Sequence, residues 1–133
     1  MRARTLVLRD VDHALGAYHG IGLSDLALLL EVRDAPGRKL RRSDLAARLA
    51  VTTSGIARQL GPLERIGLVT RESNPGDARL ALVSLTDAGE RLVADAAASA
   101  GELAEQVLGR YWSADEQTAL AGVLERTRHP ASR

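Results

Sequence analysis

The sequence predicts a single, mainly α-helical domain that carries one small β-hairpin between its helical ends. Apolar residues recur at helical spacing along most of the 133 residues, and two short β-like runs flank one turn sequence at residues 74–77. The composition, with 45% hydrophobic and 26% charged residues, is typical of a folded chain and not of a disordered one. A chain of this length has room for one ordinary domain, so we expect that domain to cover residues 1–133.

The N-terminal part of the chain is predicted to contain two helices. The first has an apolar stripe with 3-4-3 spacing, formed by Leu8, Val11, Leu15 and Tyr18. Gly20 and Gly22 are expected to end this helix. Ser24 is placed to cap the second helix, which the turn sequence of residues 34–37 then stops.

A pair of short helices follows. Ser43 repeats the cap for a third helix, and helical spacing resumes after a break at residues 51–55, until Gly67 supplies a left-handed stop. Three apolar residues of the fourth helix are predicted to face inward: Ile56, Leu60 and Leu63. Within it, Gly61 and Pro62 predict a bend, because proline removes a backbone hydrogen bond. Two short helices joined by a tight turn form the helix-turn-helix pattern.

A hairpin and two further helices complete the prediction. Residues 68–71 and 80–85 are predicted strands, and their hairpin forms the wing of a winged helix-turn-helix unit that spans residues 24–85. Thr86 is expected to cap a long helix, and Ser113 to open the last helix with a capping box.

Both ends of the chain carry apolar stripes for which the small central unit offers little cover. The predicted stripes are Val93, Ala96, Ala100, Leu103 and Val107 on the long helix, and Leu120, Val123, Leu124 and Thr127 on the last one. We expect residues 6–21 and 87–127 to be dimerisation helices that pack against a second copy of the chain. The alternative is a monomer in which both segments fold back on their own winged unit. The predicted fold class is mainly α with a small β-hairpin wing, a winged helix-turn-helix with N- and C-terminal dimerisation helices.

The charge of the chain is concentrated in its centre, although the net charge is only +1. Residues 38–79 contain nine Lys or Arg against four acids, whereas residues 1–37 contain four against five and residues 80–133 contain five against eight. A basic centre between mildly acidic flanks is expected if the centre contacts phosphates. The alternative is an ordinary solvated basic face, which charge alone does not exclude.

The residue types also exclude several kinds of site. The chain has no cysteine, so it has no disulfide, no thiolate ligand and no thiol-based sensor. His13, His19 and His129 lie on the end segments without metal-ligand spacing, and no phosphate loop, nucleophile elbow or paired-carboxylate motif is present, so we expect no enzyme, no metal and no cofactor. No apolar run reaches the roughly 18 residues of a membrane span and no signal-peptide core follows the N-terminus, which predicts a cytoplasmic protein with no membrane partner.

Several local strings, in their order along the chain, resemble those of the MarR family of bacterial transcriptional regulators. The strings are residues 43–49, 52–63, 64–69, 77–79 and 85–89, and the resemblance covers roughly residues 6–127. It implies a homodimer whose first and last helices interleave, with two winged units that project toward adjacent major grooves of double-stranded DNA. It further implies a regulator, most often a ligand-responsive repressor, of a near-palindromic operator.

In the recognition helix, the fourth, the residues opposite the apolar stripe are the candidates for DNA contact. Arg58 is the best candidate for a bidentate contact with guanine, and Gln59, at the margin of the exposed face, is a candidate for adenine. The hydroxyls of Thr53 and Ser54 suit phosphates or thymine edges. Two further residues belong to this group: Thr52, for which helix capping is the stronger interpretation, and Gly55, which permits close approach.

The wing and the segment before the third helix supply further candidates. Asp77 and Arg79 lie two apart and point to one face of a regular strand. The family resemblance implies that this Asp orients the Arg in the minor groove, while an ordinary surface ion pair is the equally supported alternative. The candidates for phosphate contact are Arg71, Arg41, Arg42 and Lys39.

Two questions about binding partners stay open at this level. A winged unit is also used for protein–protein contact without DNA, and only the basic centre argues against that alternative. The family resemblance implies a small aromatic or phenolic effector in a crevice between the dimer helices and the winged unit. Its candidate lining residues, which are equally explained as core, are His13, Tyr18, His19, Tyr111 and Trp112.

Overall fold

The chain alternates helices with very short strands, and the computed structural model describes residues 2–72, 76 and 81–128. Within these residues the elements are α1 (Arg2–His19), α2 (Leu23–Asp34), β1 (Lys39–Arg41), α3 (Arg42–Leu49), α4 (Thr53–Arg65), β2 (Val69–Glu72), β3 (Leu82–Leu85), α5 (Asp87–Tyr111) and α6 (Ala114–Arg128). The mainly helical fold with a small antiparallel sheet confirms the predicted fold class.

Three helix starts follow the local sequence as predicted. The hydroxyl of Thr52 accepts a hydrogen bond from the Gly55 N–H at the start of α4 (3.0 Å), and Thr86 caps α5 in the same way. At α6, Glu116 accepts from the Ser113 N–H (2.8 Å) while the Ser113 hydroxyl accepts from the Glu116 N–H (3.3 Å), which is a capping box. Each cap satisfies N–H groups that a helix start leaves without an intrahelical partner.

The predicted caps at Ser24 and Ser43 are wrong. Helix α2 begins earlier, after Gly22, and the N–H of Leu23 donates to the Asp12 carboxylate of α1 at 2.7 Å. A carboxylate from the neighbouring helix therefore does what Ser24 was expected to do. Helix α3 begins directly after a strand, so that Ser43 lies inside its first turn and the N-cap position makes no side-chain hydrogen bond.

The sheet contains a strand that the sequence did not predict. Strand β1 pairs antiparallel with β3, which also pairs with β2, in the order β1-β3-β2. In β1 only Leu40 is apolar; it is buried opposite Val83, while Lys39 and Arg41 on either side are exposed. Three residues with one apolar position are too short for a period-of-two pattern to be visible.

One continuous core joins the first five helices to the sheet. Its largest fully buried side chains are Leu15, Val32, Leu28, Leu29, Leu45, Ile56, Leu60, Val83 and Val93. The predicted inward residues of α4 are all buried, and the seam of α5 is fully buried at Val93 and Ala96. Helix α4 continues through Pro62 to Arg65, so the proline does not end the helix, and the predicted bend stays a prediction.

Close backbone contacts connect the start of α5 to the segment between α4 and β2. The Thr86 hydroxyl donates to the Gly67 carbonyl (2.6 Å) and the Thr86 N–H donates to the Leu68 carbonyl (3.1 Å). A Cβ atom on Gly89 would lie 2.1 Å from that Leu68 oxygen. Only glycine lets the helix approach the backbone this closely.

The apolar stripes of the two end helices are only partly covered within one chain. Val11 and Leu15 of α1 are buried, but Leu8 is 44% exposed and Tyr18 is 78% exposed. On α6 the predicted inner residues are exposed within the chain: Leu120 (41%), Val123 (46%) and Leu124 (55%). The side chain of Thr127, the fourth predicted residue, lies outside the described part.

No single helix in the described part of the chain is both long and apolar enough to cross a membrane. Residues Leu8–His19 and Leu23–Asp34 satisfy that test only when taken together, and they are bent by 74° against each other.

Candidate nucleic-acid interface

Helix α4 presents a polar face to solvent on the side opposite its buried stripe. Thr53, Ser54 and Arg58 are exposed, as predicted from the helical period. Among the described residues, none forms an ion pair or hydrogen bond with the Arg58 side chain. The described residues thus leave all five N–H donors of this guanidinium to an external acceptor.

Pro62 affects the helix beneath Arg58 without interrupting it. Because proline has no N–H, it cannot donate the helical hydrogen bond to the carbonyl of residue 58. The helix ends at Arg65, and the N–H of the C-cap residue Ile66 donates to the Pro62 carbonyl at 3.1 Å. The turns from Thr53 to Gln59 lie before the proline and stay helical, as expected.

Gln59 is engaged inside the protein through one N–H of its amide group. Its Nε2 donates to the Asp25 carboxylate of α2 at 3.0 Å, and both side chains are partly buried. One of its two N–H donors is thus held by α2, and this contact restricts the directions in which the rest of the amide can reach toward a base edge. The sequence missed Asp25 because it precedes Gln59 by 34 positions.

Thr52 and Gly55 form the N-terminal cap of α4. The capping interpretation of Thr52 is confirmed, because its hydroxyl accepts the Gly55 N–H at 3.0 Å. The same hydroxyl lies 3.3 Å from the hydroxyl of Ser54, so the first turn of α4 presents a small hydroxyl cluster at the surface.

The cations beside the helix-turn-helix fall into two groups. Arg71 donates to Glu64 of α4 (Nε to Oε2, 2.8 Å), and Lys39 donates to Glu72 (2.7 Å). These are exposed pairs, which contribute little to stability and can exchange a carboxylate for a phosphate at small cost. The second group has no ion pair or hydrogen-bonded partner among the described side chains: Arg41 and Arg42.

The tip of the wing lies largely outside the described residues. Gly76 is exposed in a turn, as expected of the turn sequence. Asp77 and Arg79 are outside the described part, so their pairing stays a prediction.

The candidate effector residues do not converge on one cavity. Tyr18 lines a shallow cavity of about 330 Å³ together with Ser99, Glu102, Leu103 and Gln106 of α5. His19 lies beside it, because its Nε2 is 2.9 Å from the Ser99 hydroxyl. His13 is exposed on α1.

Tyr111 and Trp112 lie at the far end of α5, where Tyr111 is about 18 Å along the helix axis from Ser99 and about 8 Å from Gln106. Trp112 lines a second shallow cavity, whose other residues are Glu116, Ala119 and Leu120 of α6. The polar lining of the first cavity was not predicted, since no spacing rule singles out Ser99, Glu102 and Gln106. Within the described ranges no group of His, Asp and Glu is arranged to hold a metal ion.

Comparison with known proteins places these features in a family context. Residues 19–80 match the family model described as the MarR family. The chain is 31% identical over 126 residues to the uncharacterized HTH-type transcriptional regulator YdgJ of Bacillus subtilis, covering 92% of this chain and 75% of YdgJ. It is 34% identical over 100 residues to the transcriptional regulator HosA of Escherichia coli O157:H7, covering 75% and 72% of the two chains.

A solved structure extends the similarity to a complex with DNA. The crystal structure of Sco3205, a MarR family transcriptional regulator from Streptomyces coelicolor in complex with DNA, superposes with a TM-score of 0.80 at 25% identity. The match covers 99% of this chain and 83% of Sco3205. The order of helices and strands described above is therefore similar to that of a regulator solved on DNA.

Proposed function

The chain belongs to the MarR family of DNA-binding transcriptional regulators, and from this premise we propose that it represses transcription by binding a near-palindromic operator as a homodimer. We propose that it acts by binding DNA in the bacterial cytoplasm and catalyses no reaction. The observation that carries the proposal is the uncommitted guanidinium of Arg58 on the exposed face of α4. An arginine in this place suits the O6 and N7 acceptors of guanine.

The other cations support α4 by holding the phosphate backbone. Arg41 precedes α3 and Arg42 is its first residue, and both are assigned to phosphates. Arg71 is assigned to the same role once a phosphate replaces its partner Glu64. Asp77 and Arg79 are assigned to the minor groove beside the wing, where shape and potential are read. Thr53 and Ser54 supply hydroxyl contacts at the start of α4.

The homodimer is proposed because the end helices present apolar surface that one chain leaves uncovered. Leu8 on α1 and Val123 on α6 are 44% and 46% exposed. Leu8 extends the stripe of buried Val11 and Leu15, and Val123 belongs to an exposed apolar stripe on α6. A second copy related by two-fold symmetry covers both stripes at once and spaces two copies of α4 along the DNA.

We predict that Arg58→Ala lowers operator affinity by about 5- to 150-fold, the equivalent of about 1–3 kcal/mol, and relaxes preference at one base pair in each half-site. Binding of the variant to operators mutated at every position, at one fixed salt concentration, measures both effects. Arg79→Ala is expected to weaken binding and to reduce any A·T preference in the flanks instead.

The matched control is Arg110→Ala, which removes one exposed cation from the far end of α5. It should leave the base preference unchanged, because the site of the substitution lies roughly 30 Å along the helix from the winged unit. If Arg58→Ala weakened binding to all sequences equally, Arg58 would be a phosphate contact. If neither Arg58→Ala nor Arg79→Ala changed DNA binding, the proposed interface would be wrong.

A small phenolic effector is proposed for the cavity beside Tyr18. The cavity is lined in part by Glu102 and lies beside the His19–Ser99 hydrogen bond. A phenol donates its O–H to a carboxylate, whereas a carboxylate ligand is repelled by one. The neutral phenol is thus the favoured member of the aromatic class.

We expect phenol to raise the thermal midpoint of the purified protein more than benzoate does at the same concentration, because only a ligand that binds the native state stabilises it. Glu102→Gln should reduce this difference. Exposed Glu105 lies on the same helix and does not line the cavity, so Glu105→Gln is the control. Equal or absent shifts for both compounds with the unsubstituted chain would contradict a phenol site here.

A further inference from the structure

Within the described residues, the recognition helix α4 makes one long-range side-chain hydrogen bond and one exposed ion pair to a neighbouring strand. Gln59 donates to Asp25 of α2 at 3.0 Å, and Glu64 accepts from Arg71 of β2 at 2.8 Å. The buried stripe of α4 is entirely aliphatic, and aliphatic packing limits rotation about the helix axis less sharply than a directed hydrogen bond does. Because the exposed Arg71–Glu64 pair exchanges easily, the partly buried Gln59–Asp25 hydrogen bond is the directional restraint that the core alone lacks.

The restraint at Gln59 acts beside Arg58. Successive residues of a helix differ by about 100° in direction, so a fixed direction for residue 59 fixes that of residue 58. A guanine contact needs two N–H donors aimed at two acceptors, and small rotations of the helix spoil that alignment. Control of the rotation of α4 is thus control of the base preference at Arg58.

Asp25 is itself held in place from two sides. It lies in the first turn of α2, where its Oδ2 accepts from the Gly22 N–H at 3.4 Å while its Oδ1 accepts from Gln59. The next N–H, of Leu23, donates to Asp12 of α1 at 2.7 Å. A carboxylate at a helix N-terminus is favoured by the partial positive charge there, so Asp25 is a well-anchored acceptor.

We infer that Gln59 is a positioning residue and not a base reader, and that Gln59 and Asp25 together set the rotation of α4 and so the base preference of Arg58. The inference rests on the proposed function, because it assumes that Arg58 contacts a base. It assigns Asp25, which does not lie on the recognition helix, a part in DNA specificity.

The test is a scan of the operator, one base pair at a time, with full-length Asp25→Ala and Gln59→Ala. Each is expected to lower operator affinity about tenfold, the effect of losing one charge-assisted hydrogen bond. Each should also weaken discrimination at the same base pair that Arg58→Ala affects. The Asp25→Ala/Gln59→Ala double variant should bind no worse than either single one, since both remove one shared contact.

Variants that exchange the donor and acceptor roles of Gln59 and Asp25 separate a positioning role from a general loss of folding. Asp25→Asn keeps an acceptor for Gln59 but loses the charge and turns its NH2 toward the Gly22 N–H, so its affinity should lie between those of the unsubstituted protein and Asp25→Ala. Gln59→Glu places two acceptors against each other and should bind worse than Gln59→Ala. Addition of Asp25→Asn to Gln59→Glu restores a donor–acceptor pair and should recover about tenfold in affinity. If Asp25→Ala fails to fold, this pair of Gln59 variants carries the test.

Two results would overturn the inference and leave the proposed function intact. One is a Gln59→Ala variant that loses discrimination at a different base pair from Arg58→Ala, while Asp25→Ala changes none. The other is no change in affinity or preference for any Asp25 or Gln59 variant. Failure of the unsubstituted chain to bind any DNA sequence preferentially would instead contradict the proposed function itself.

Discussion

Gly89→Ala is expected to destabilise the protein by about 3 kcal/mol or more. The added Cβ would lie 2.1 Å from the Leu68 oxygen and 3.0 Å from its carbonyl carbon, so a backbone group has to move. That carbonyl also accepts the Thr86 N–H, and the Leu68 N–H donates to Leu63 at 2.9 Å, so movement breaks further contacts. Overpacking against a fixed backbone costs at least as much as overpacking in a side-chain core.

Urea unfolding at one protein concentration measures this loss, with Gly101→Ala as the matched control. Gly101 lies on the same helix, and its Cβ would meet nothing within 4 Å. Alanine there should be neutral or stabilise by up to about 1 kcal/mol, because glycine is the poorer helix former. A Gly89→Ala variant as stable as Gly101→Ala would show that the contact between Gly89 and Leu68 yields easily.

Leu120→Asp/Val123→Asp is expected to convert a dimer into a monomer and to lower operator affinity by about 100-fold or more. Both side chains are exposed within the chain, so the protomer should stay folded. In the proposed dimer they are covered, and a carboxylate buried there without a partner is strongly unfavourable. Without the second copy the two half-sites are bound independently, and the gain from joint binding is lost.

Sedimentation and operator titration of the same samples measure the two effects together. Thr118→Asp adds a carboxylate on the opposite, exposed side of α6 and should remain dimeric with unchanged affinity. The proposal fails if the unsubstituted chain sediments as a monomer at tens of micromolar. It also fails if the double variant stays dimeric and binds as well as the control.

The features of the fold that the sequence predicted correctly are formed by residues close to each other along the chain. Thr52, Thr86 and Ser113 were predicted as caps because each finds its N–H partner three residues ahead. Ser24 failed because the α2 start takes its acceptor from Asp12, which lies 11 positions before Leu23. Spacing rules describe local hydrogen bonds and carry no information about acceptors supplied by another helix.

The same reason limits prediction of the candidate site. The exposure of Arg58 follows from the helical period of α4, and the structure has it as expected. The engagement of Gln59 does not follow from that period, since Asp25 is 34 positions away. Strand β1 was missed because its partner residues in β3, such as Leu82 opposite Arg41, lie far along the chain.

The direct backbone contact between Gly89 and Leu68 couples movement of the long helix α5 to the segment that follows α4. Helix α5 has 25 residues and extends about 37 Å, with its first turn fixed against the chain that links α4 to the wing. A shift of about 3 Å at the far end corresponds to a tilt of about 5° over that length. Because the start of α5 is in direct contact with the Leu68 backbone, we expect α4 to tilt by the same angle as α5. A small rearrangement between two copies of α5 would therefore change the separation of the two recognition helices on DNA.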